Sequence, residues 1–235
     1  MAARRFSRAL LKGLFYSVGA LVIAFLVAQL WFFSHIFYWS RYRPETTAFM
    51  ENRLAANPKL KLDHVWVPYN RISIHLKRAV IVAEDARFLD HEGFDWDAIQ
   101  DAFAKNKREG RVVAGASTIS QQLAKNLFLS GERTWLRKGQ EAIITWMLEQ
   151  TMTKRRILEL YLNVAEWGDG VFGAEAAARY HFGVPASELT AQQGVWLAAI
   201  LPSPRKYVHG RTTPYIDGRV ATILARMEKE GAQIP

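Results

Sequence analysis

The stretch Ala79-Val-Ile-Val-Ala-Glu-Asp-Ala-Arg-Phe-Leu-Asp-His-Glu-Gly93 runs from apolar residues into two adjacent carboxylates, Glu84 and Asp85. Leu76, Val80 and the alanine three residues later have the spacing of a helix that is buried on one side. Successive helical residues point about 100° apart, so the two carboxylates cannot share a face. The stretch therefore predicts a buried helix with one carboxylate at its end.

The position of Glu84 predicts an unusual carboxyl group. At the end of an apolar helix it is partly removed from water and close to the negative end of the helix dipole. Both effects favour the protonated form and raise the pKa towards that of a useful base. The alternative is a structural glutamate paired with Arg87, which shares its helical face. This stretch alone leaves both interpretations open.

The N-terminus has the features of a membrane anchor. Arg4, Arg5, Arg8 and Lys12 precede residues 13–40, which contain no Asp, Glu, Lys or Arg. A helix of this length spans about 42 Å, which is enough to cross a bilayer. Its far end carries the aromatic residues expected at an interface, Trp31, Phe32, Phe33, Tyr38 and Trp39. A cleaved signal peptide is disfavoured because no good small-residue cleavage site follows.

This pattern divides the chain into four parts. Residues 1–12 form a basic cytoplasmic tail, residues 13–40 a transmembrane anchor, and residues 41–64 a linker with helix-breaking prolines. Residues 65–235 form the remaining domain, outside the membrane, and from Ser73 onwards they predict one helix after another. Residues 97–111 form a basic amphipathic piece that rests either on a membrane surface or in solvent.

Composition limits the chemistry. The 235 residues include no cysteine, so disulfides and thiolate chemistry are excluded. The net charge of +9 indicates an anionic partner: nucleic acid, anionic lipid or a phosphorylated substrate. Nucleic acid is disfavoured because much of the charge lies in the membrane flank and in one cluster at residues 133–138.

Residues 115–126, Gly-Ala-Ser-Thr-Ile-Ser-Gln-Gln-Leu-Ala-Lys-Asn, predict the start of a helix. Thr118 and Gln121 have capping-box spacing. Apolar residues recur every four positions from Ile119, which leaves Gln121 and Lys125 together on another face. Amides and a lysine at a helix start suit an oligosaccharide phosphate, although a solvated helix face has a similar pattern.

Residues 132–141, Glu-Arg-Thr-Trp-Leu-Arg-Lys-Gly-Gln-Glu, break two helix rules. Thr134 is a plausible N-cap, yet Arg137 and Lys138 occupy the first turn, where the dipole disfavours cations. The cations also precede Glu141, which is the less stabilising order. A site that holds a pyrophosphate explains both violations. Exposed pairs contribute about 0.3–0.5 kcal/mol each, so substitution of Lys125 or Arg137 is expected to leave thermal stability nearly unchanged.

Taken together, these segments resemble family 51 glycosyltransferases, the peptidoglycan glycosyltransferases that polymerise lipid II. The resemblance covers about residues 65–210 and rests on segments in the family's order: Glu84–Gly93, Gly115–Asn126, Arg137–Glu141, Lys154–Asn163, Gly168–Gly173 and Leu201–Pro204 with Tyr207. With the anchor, the chain resembles the monofunctional members. One position departs from the family, since Gln193 stands where glutamate often occurs, but Thr190 keeps capping-box spacing with it.

The resemblance implies a mainly α, two-lobed, lysozyme-like domain behind a single N-terminal transmembrane helix. It implies β-1,4 glycosyl transfer with inversion and release of polyprenyl diphosphate. The alternative is a membrane-anchored glycan-cleaving enzyme, of lysozyme or lytic transglycosylase type, which has no need of the basic cluster.

The site residues follow from the same resemblance. Glu84 corresponds to the general base, and Glu141 to a second catalytic glutamate that orders the pyrophosphate site. Cations of the expected pyrophosphate clamp are Lys125, Arg133, Arg137 and Lys138. Positions that line the donor cleft are Ser117, Thr118, Gln121 and Gln122.

Cofactors and partners are also expectations of the resemblance. A divalent cation, Mg²⁺ or Mn²⁺, is an open alternative through Glu141. Partners are lipid II, the growing glycan strand and the lipid bilayer, with other cell-wall synthesis or division proteins left open. The expected location is the bacterial inner membrane, with one pass and a periplasmic catalytic domain.

Overall fold

The computed structural model describes residues 2–132, 134–208, 211–230 and 233–235. The chain forms two compact units, Met1–Tyr42 and Arg43–Pro235. Helix α1 (Ala2–Trp39) makes up most of the first unit and continues through the basic tail. Within the described residues, the single helix long and apolar enough to cross a membrane is Leu11–Trp39, with a mean hydropathy of 2.1. The predicted apolar N-terminal helix is thus confirmed.

The second unit is built mainly of helices. They are α2 (Ala48–Ala56), α3 (Ile74–Glu84), α4 (Trp96–Glu109), α5 (Ile119–Phe128), α6 (Trp135–Thr151), α7 (Lys154–Val164), α8 (Ala174–Phe182), α9 (Ala191–Ile200) and α10 (Pro214–Glu230). Short 3₁₀ turns cover Tyr69–Arg71, Ala186–Glu188 and Pro204–Lys206. The mainly α fold class is confirmed.

Two packed groups of helices form the core of this unit. Helix α3 packs against α9 and α10, while α5 packs against α6, α7 and α2. At the α3–α9 contact, a Cβ atom on Gly194 would lie 2.8 Å from the backbone nitrogen of Leu76. Only glycine allows this approach, which holds α3 and its terminal Glu84 against the buried helix α9.

The predicted helix starts are present. Thr118 and Gln121 form a reciprocal capping box at α5, and Thr190 and Gln193 form one at α9. Thr134 caps α6 by accepting a hydrogen bond from the Arg137 backbone N–H. The side chain of Gln193 accepts a hydrogen bond from the Thr190 backbone N–H, as a glutamate at this position of a capping box would.

A small sheet accompanies the helices and was not predicted. Its strands are β1 (Asp63–His64), β2 (Glu166–Gly168) and β3 (Val171–Phe172), in the order β1-β3-β2. Strand β3 runs parallel to β1 and antiparallel to β2. Gly173 ends the hairpin with φ +84, and a Cβ there would lie 2.8 Å from the Asn163 carbonyl oxygen. Strands of two or three residues are too short to show an alternating pattern.

The segment predicted as a linker contains helix α2, which packs against α5. Arg53 on this helix donates through Nε to Glu166 at 2.9 Å, and it also pairs with Asp169. Helix α4 has no buried residue, and Phe103 on it is 70% exposed. Its amphipathic character is present, while contact with a membrane stays a prediction.

Candidate active site

A cavity of about 700 Å³ lies in the second unit. Its lining comes from helices α2, α5, α6 and α7, the end of α3, strand β2, the segments before and after α5, and the loop after α9. The lining residues are Phe49, Glu84, Ser117, Gln121, Gln122, Lys125, Asn126, Gly131, Arg137, Lys138, Glu141, Tyr161, Ala165, Glu166, Leu201, Pro202, Ser203, Pro204, Arg205 and Lys206. Segments that lie far apart in the sequence therefore share one cavity.

Glu84 is the last residue of α3; the residue is half-buried and lines the cavity. Burial raises the pKa of Glu84 above its ordinary value. A hydrogen bond from Gln122 opposes that rise, as do the charges of Lys125 and Arg219, while Asp85 adds to it. The predicted direction of the pKa shift agrees, and burial is its main cause.

The alternative in which Glu84 pairs with Arg87 is wrong. Helix α3 ends at Glu84, so Arg87 no longer lies one helical turn beyond it. Its guanidinium instead donates to Asp97 at 2.6 Å and approaches Asp95 at 3.7 Å. Glu84 is therefore left facing the cavity.

Asp85 ties the end of α3 to the start of α5. One oxygen, Oδ1, accepts from His91 Nε2 at 2.8 Å, and the other accepts from the Ile119 backbone N–H at 2.9 Å. His91 Nδ1 in turn accepts from the Gly93 N–H at 3.1 Å, so the ring carries its proton on Nε2. This buried network fixes Glu84 beside the first turn of α5.

Gln121 and Gln122 in the first turn of α5 line the cavity, as does Ser117 just before this helix. Gln122 donates through Nε2 to Glu84 Oε2 at 2.9 Å. Thr118 is not among the lining residues within the described chain, because its hydroxyl donates to the Gly93 carbonyl at 2.7 Å and accepts from the Gln121 N–H. Thr118 therefore stabilises the first turn of α5 through these hydrogen bonds. The prediction that it lines the donor cleft is wrong.

The basic cluster surrounds a buried carboxylate. Glu141, only 3% exposed, accepts from Arg137 Nη1 at 2.6 Å and also from Lys138 Nζ. Lys125 lies on the same cavity wall, and burial lowers the pKa of its ammonium group. The charge of Glu141 opposes that fall, and the charges of Arg137 and Lys138 add to it. Three cations around one carboxylate leave an excess of positive charge.

The exposure of this cluster corrects one expectation. The side chains of Arg137 and Glu141 are only 16% and 4% exposed, so their pair does not behave as a surface pair. The expectation that substitution of Arg137 leaves stability nearly unchanged assumed an exposed ion pair, and that assumption is wrong. Among the described residues, Arg137 Nε is buried and has no hydrogen-bond acceptor, so this donor is unsatisfied. Arg133 lies outside the described residues.

The donor set does not fit a metal held by protein groups. Both oxygens of Glu141 already accept from cations, and Lys125 adds a third positive charge nearby. In the described part of the chain, no group of three or more His, Asp or Glu side chains is placed to hold a metal ion. Among the described residues, the cation expected through Glu141 therefore has no ready set of three protein ligands, and its presence stays a prediction.

Several lining residues were missed by sequence reasoning. Tyr161 sits in the segment Lys154–Asn163, but nothing in the helical pattern shows that its hydroxyl reaches Gln122. Glu166 is buried in β2 and pairs with Arg53, which comes from the predicted linker. Arg205 approaches Glu166 at 3.9 Å from the loop after α9. These contacts bridge at least 39 positions along the chain, so local spacing carries no signal for them.

Comparison with known proteins adds independent evidence. Residues 51–228 match the protein family described as Transglycosylase. A "Biosynthetic peptidoglycan transglycosylase" of Laribacter hongkongensis is 58% identical over 222 residues, which is 93% of this chain and 97% of that protein. Proteins of the same name from Nitrosospira multiformis and Methylobacillus flagellatus are 54% and 53% identical, covering 95% and 96% of this chain and 99% and 100% of theirs. The chain therefore belongs to the transglycosylase family, the family 51 glycosyltransferases, with the length of its monofunctional members.

Proposed function

We propose that this protein polymerises lipid II into glycan strands of peptidoglycan, with β-1,4 linkage and inversion, and releases polyprenyl diphosphate. The observation that carries the proposal is the shared cavity. Glu84, whose carboxyl group has a raised pKa, lines the same cavity as the cations Lys125, Arg137 and Lys138. A base for a sugar hydroxyl and a clamp for a pyrophosphate are the two groups that this transfer needs.

Glu84 takes the proton from the 4-hydroxyl of the acceptor sugar. That oxygen attacks the anomeric carbon of the donor strand while the bond from this carbon to the pyrophosphate oxygen breaks. The electron pair of the broken bond leaves with the polyprenyl diphosphate, and the proton stays on Glu84. Attack opposite the leaving group inverts the anomeric carbon.

Stabilisation of the leaving group falls to the basic cluster. The pyrophosphate gains negative charge as the bond breaks, and Lys125, Arg137 and Lys138 supply fixed positive charge there. The buried Nε of Arg137, without an acceptor among the described residues, can donate to a pyrophosphate oxygen. Glu141 orients Arg137 and Lys138 by accepting from both. A pyrophosphate is a good leaving group, so no general acid is required.

A glycan-cleaving enzyme is the second candidate, and the site does not favour it. Hydrolysis or lytic cleavage needs an acid for the glycosidic oxygen, which a carboxyl group such as Glu84 can supply. It has no role for the cations that surround Glu141. A non-catalytic scaffold needs neither glutamate.

Incubation of the purified full-length protein with lipid II and, separately, with preformed glycan strands distinguishes these functions. We expect polymer from lipid II, one polyprenyl diphosphate for each bond formed, and no shortening of the strands. Shortened strands without polymer would indicate a cleaving enzyme, and no reaction of either kind would indicate a scaffold. Mass spectrometry of the glycans measures polymer and shortened strands, and chromatography measures the released polyprenyl diphosphate.

The location follows from α1 and the basic residues before it. We infer a single pass through the inner membrane, with residues 1–12 in the cytoplasm and the catalytic unit in the periplasm, where the wall is assembled. Alkaline phosphatase fused after Pro235 is expected to be active, since it folds only outside the cytoplasm. A fusion after residue 12 is the matched inactive control. An inactive fusion after Pro235 would contradict this orientation.

A further inference from the structure

A chain of two hydrogen bonds leads from the protein core to Glu84. The hydroxyl of Tyr161 donates to Gln122 Oε1 at 2.8 Å, and Gln122 Nε2 donates to Glu84 Oε2 at 2.9 Å. Tyr161 is only 1% exposed and lies on α7, which packs against α5. Its hydroxyl is therefore a fixed donor at one end of the Gln122 amide.

The orientation of that amide decides what Glu84 faces. An ionised carboxylate only accepts hydrogen bonds, so the NH₂ end of the amide attracts it and the carbonyl end repels it. Rotating the Gln122 amide by half a turn would exchange the two ends. A phenol donor on the carbonyl oxygen holds the orientation in which the NH₂ end points at Glu84.

We propose that Tyr161 is a positioning residue for the general base: it acts through Gln122 to hold Glu84 ionised and correctly turned. This inference rests on the proposed role of Glu84 in glycosyl transfer. Gln122 donates to Oε2 of Glu84. The other oxygen, Oε1, has no hydrogen-bond donor among the described residues, so it is the one that takes the proton of the acceptor hydroxyl. The bond from Tyr161 also polarises the amide and strengthens its donation to Glu84.

Other charged groups around Glu84 do not replace this arrangement. Lys125 on α5 and Arg219 on α10 act on it through their charges, and Asp85 opposes them from the adjacent position. Helix α9, which packs along α3, contains no ionisable side chain. Among these influences, burial raises the pKa of Glu84 most, and the Gln122 hydrogen bond is the largest that lowers it.

Substitution of Tyr161 with phenylalanine keeps the buried ring and removes only the donor. The Gln122 amide then donates less strongly to Glu84, so the ionised form loses stabilisation and the pKa of Glu84 rises further. Because the base must be ionised, the acidic limb of the rate profile is expected to move to higher pH by about half a unit, the scale of part of one hydrogen bond. At pH values above the acidic limbs of both enzymes, the rate of Tyr161→Phe should approach that of the wild type.

The test is the pH dependence of kcat/KM for lipid II polymerisation by the full chain. Tyr69→Phe is the matched control, because Tyr69 is 5% exposed and its hydroxyl donates to the Pro235 carbonyl at 3.0 Å, away from the cavity lining. We expect a shifted limb in Tyr161→Phe and a wild-type limb in Tyr69→Phe. Thermal unfolding of both variants reports whether the fold is retained.

A second arm tests whether Tyr161 acts through Gln122. Gln122→Ala should itself move the acidic limb to higher pH, and adding Tyr161→Phe to it should move the limb no further. A wild-type limb in Tyr161→Phe, or an equal extra shift in the double variant, would overturn the inference. Either result, together with an inactive Glu84→Gln, would leave Glu84 as the proposed base and remove only the role of Tyr161. An active Glu84→Gln would instead contradict the assignment of Glu84 as the base, and no polymer from the wild type would contradict the proposed function.

Discussion

Replacement of Glu84 with glutamine is expected to lower the rate of lipid II polymerisation by roughly 10²–10⁴-fold. Glutamine keeps the size of the side chain and its bond to Gln122, but it cannot take a proton from the acceptor hydroxyl. Glu92→Gln is the matched control, since Glu92 is an exposed carboxylate of the same segment outside the cavity lining. Its rate should stay near that of the wild type, and a similar rate in Glu84→Gln would remove the assigned base.

The same variant should be at least as stable as the wild type at neutral pH. Burial raises the pKa of Glu84 in the folded state above its value in the unfolded chain, so ionisation costs more when the protein is folded. The free energy of unfolding of the wild type therefore falls as pH rises from the ordinary pKa to the raised one. The advantage of Glu84→Gln should be present above this range and disappear below it. Thermal unfolding at several pH values measures the difference.

Glu141→Gln is expected to lower kcat/KM by roughly 10²-fold, because the cations proposed to hold the pyrophosphate lose the carboxylate that orients them. It should also lower the free energy of unfolding by about 2 kcal/mol, because it leaves Arg137 partly buried without its carboxylate. The charge of Glu141 opposes the fall in the pKa of Lys125. Without the charge of Glu141, the Lys125 ammonium loses its proton at lower pH. The alkaline limb of kcat/KM should therefore move to lower pH, while the acidic limb stays in place.

Glu149→Gln is the matched control for this variant. The Glu149 side chain is 5% exposed and accepts from Lys154 at 2.8 Å, but it does not line the cavity. Its substitution should lower stability similarly and leave both limbs of the rate profile unchanged. If Glu141→Gln instead lowers stability with full activity, the basic cluster is structural and does not bind the donor.

The parts of the fold that were predictable from sequence depend on local signals. The caps at Thr118, Thr134 and Thr190 act within three residues, and the buried face of α3 follows from its helical spacing. Glu84 could be singled out for the same reason, because an apolar helix that ends in a carboxylate is visible in one short stretch. Resemblance to a family then supplied the expected roles.

The parts that could not be predicted depend on distant contacts. The bond from Asp85 to the start of α5 joins residues 34 apart, and it decides that Glu84 meets Gln122. The pairing of Arg87 with Glu84 stayed an open alternative because a continuous helix places both on one face, whereas helix α3 ends at Glu84. The burial of Arg137 and Glu141 likewise depends on packing around α6, which charge spacing does not reveal.

The most direct test of the central claim compares the pH dependence of single-turnover glycosyl transfer in wild type and Glu84→Gln. The account predicts that the wild-type rate falls on acidification, with a limb above the ordinary pKa of glutamate, because burial raises the pKa of Glu84. The residual rate of Glu84→Gln should be low and lack that limb. A Glu84→Gln rate that equals the wild-type rate, or that falls along the same acidic limb, would contradict the assignment of Glu84 as the base.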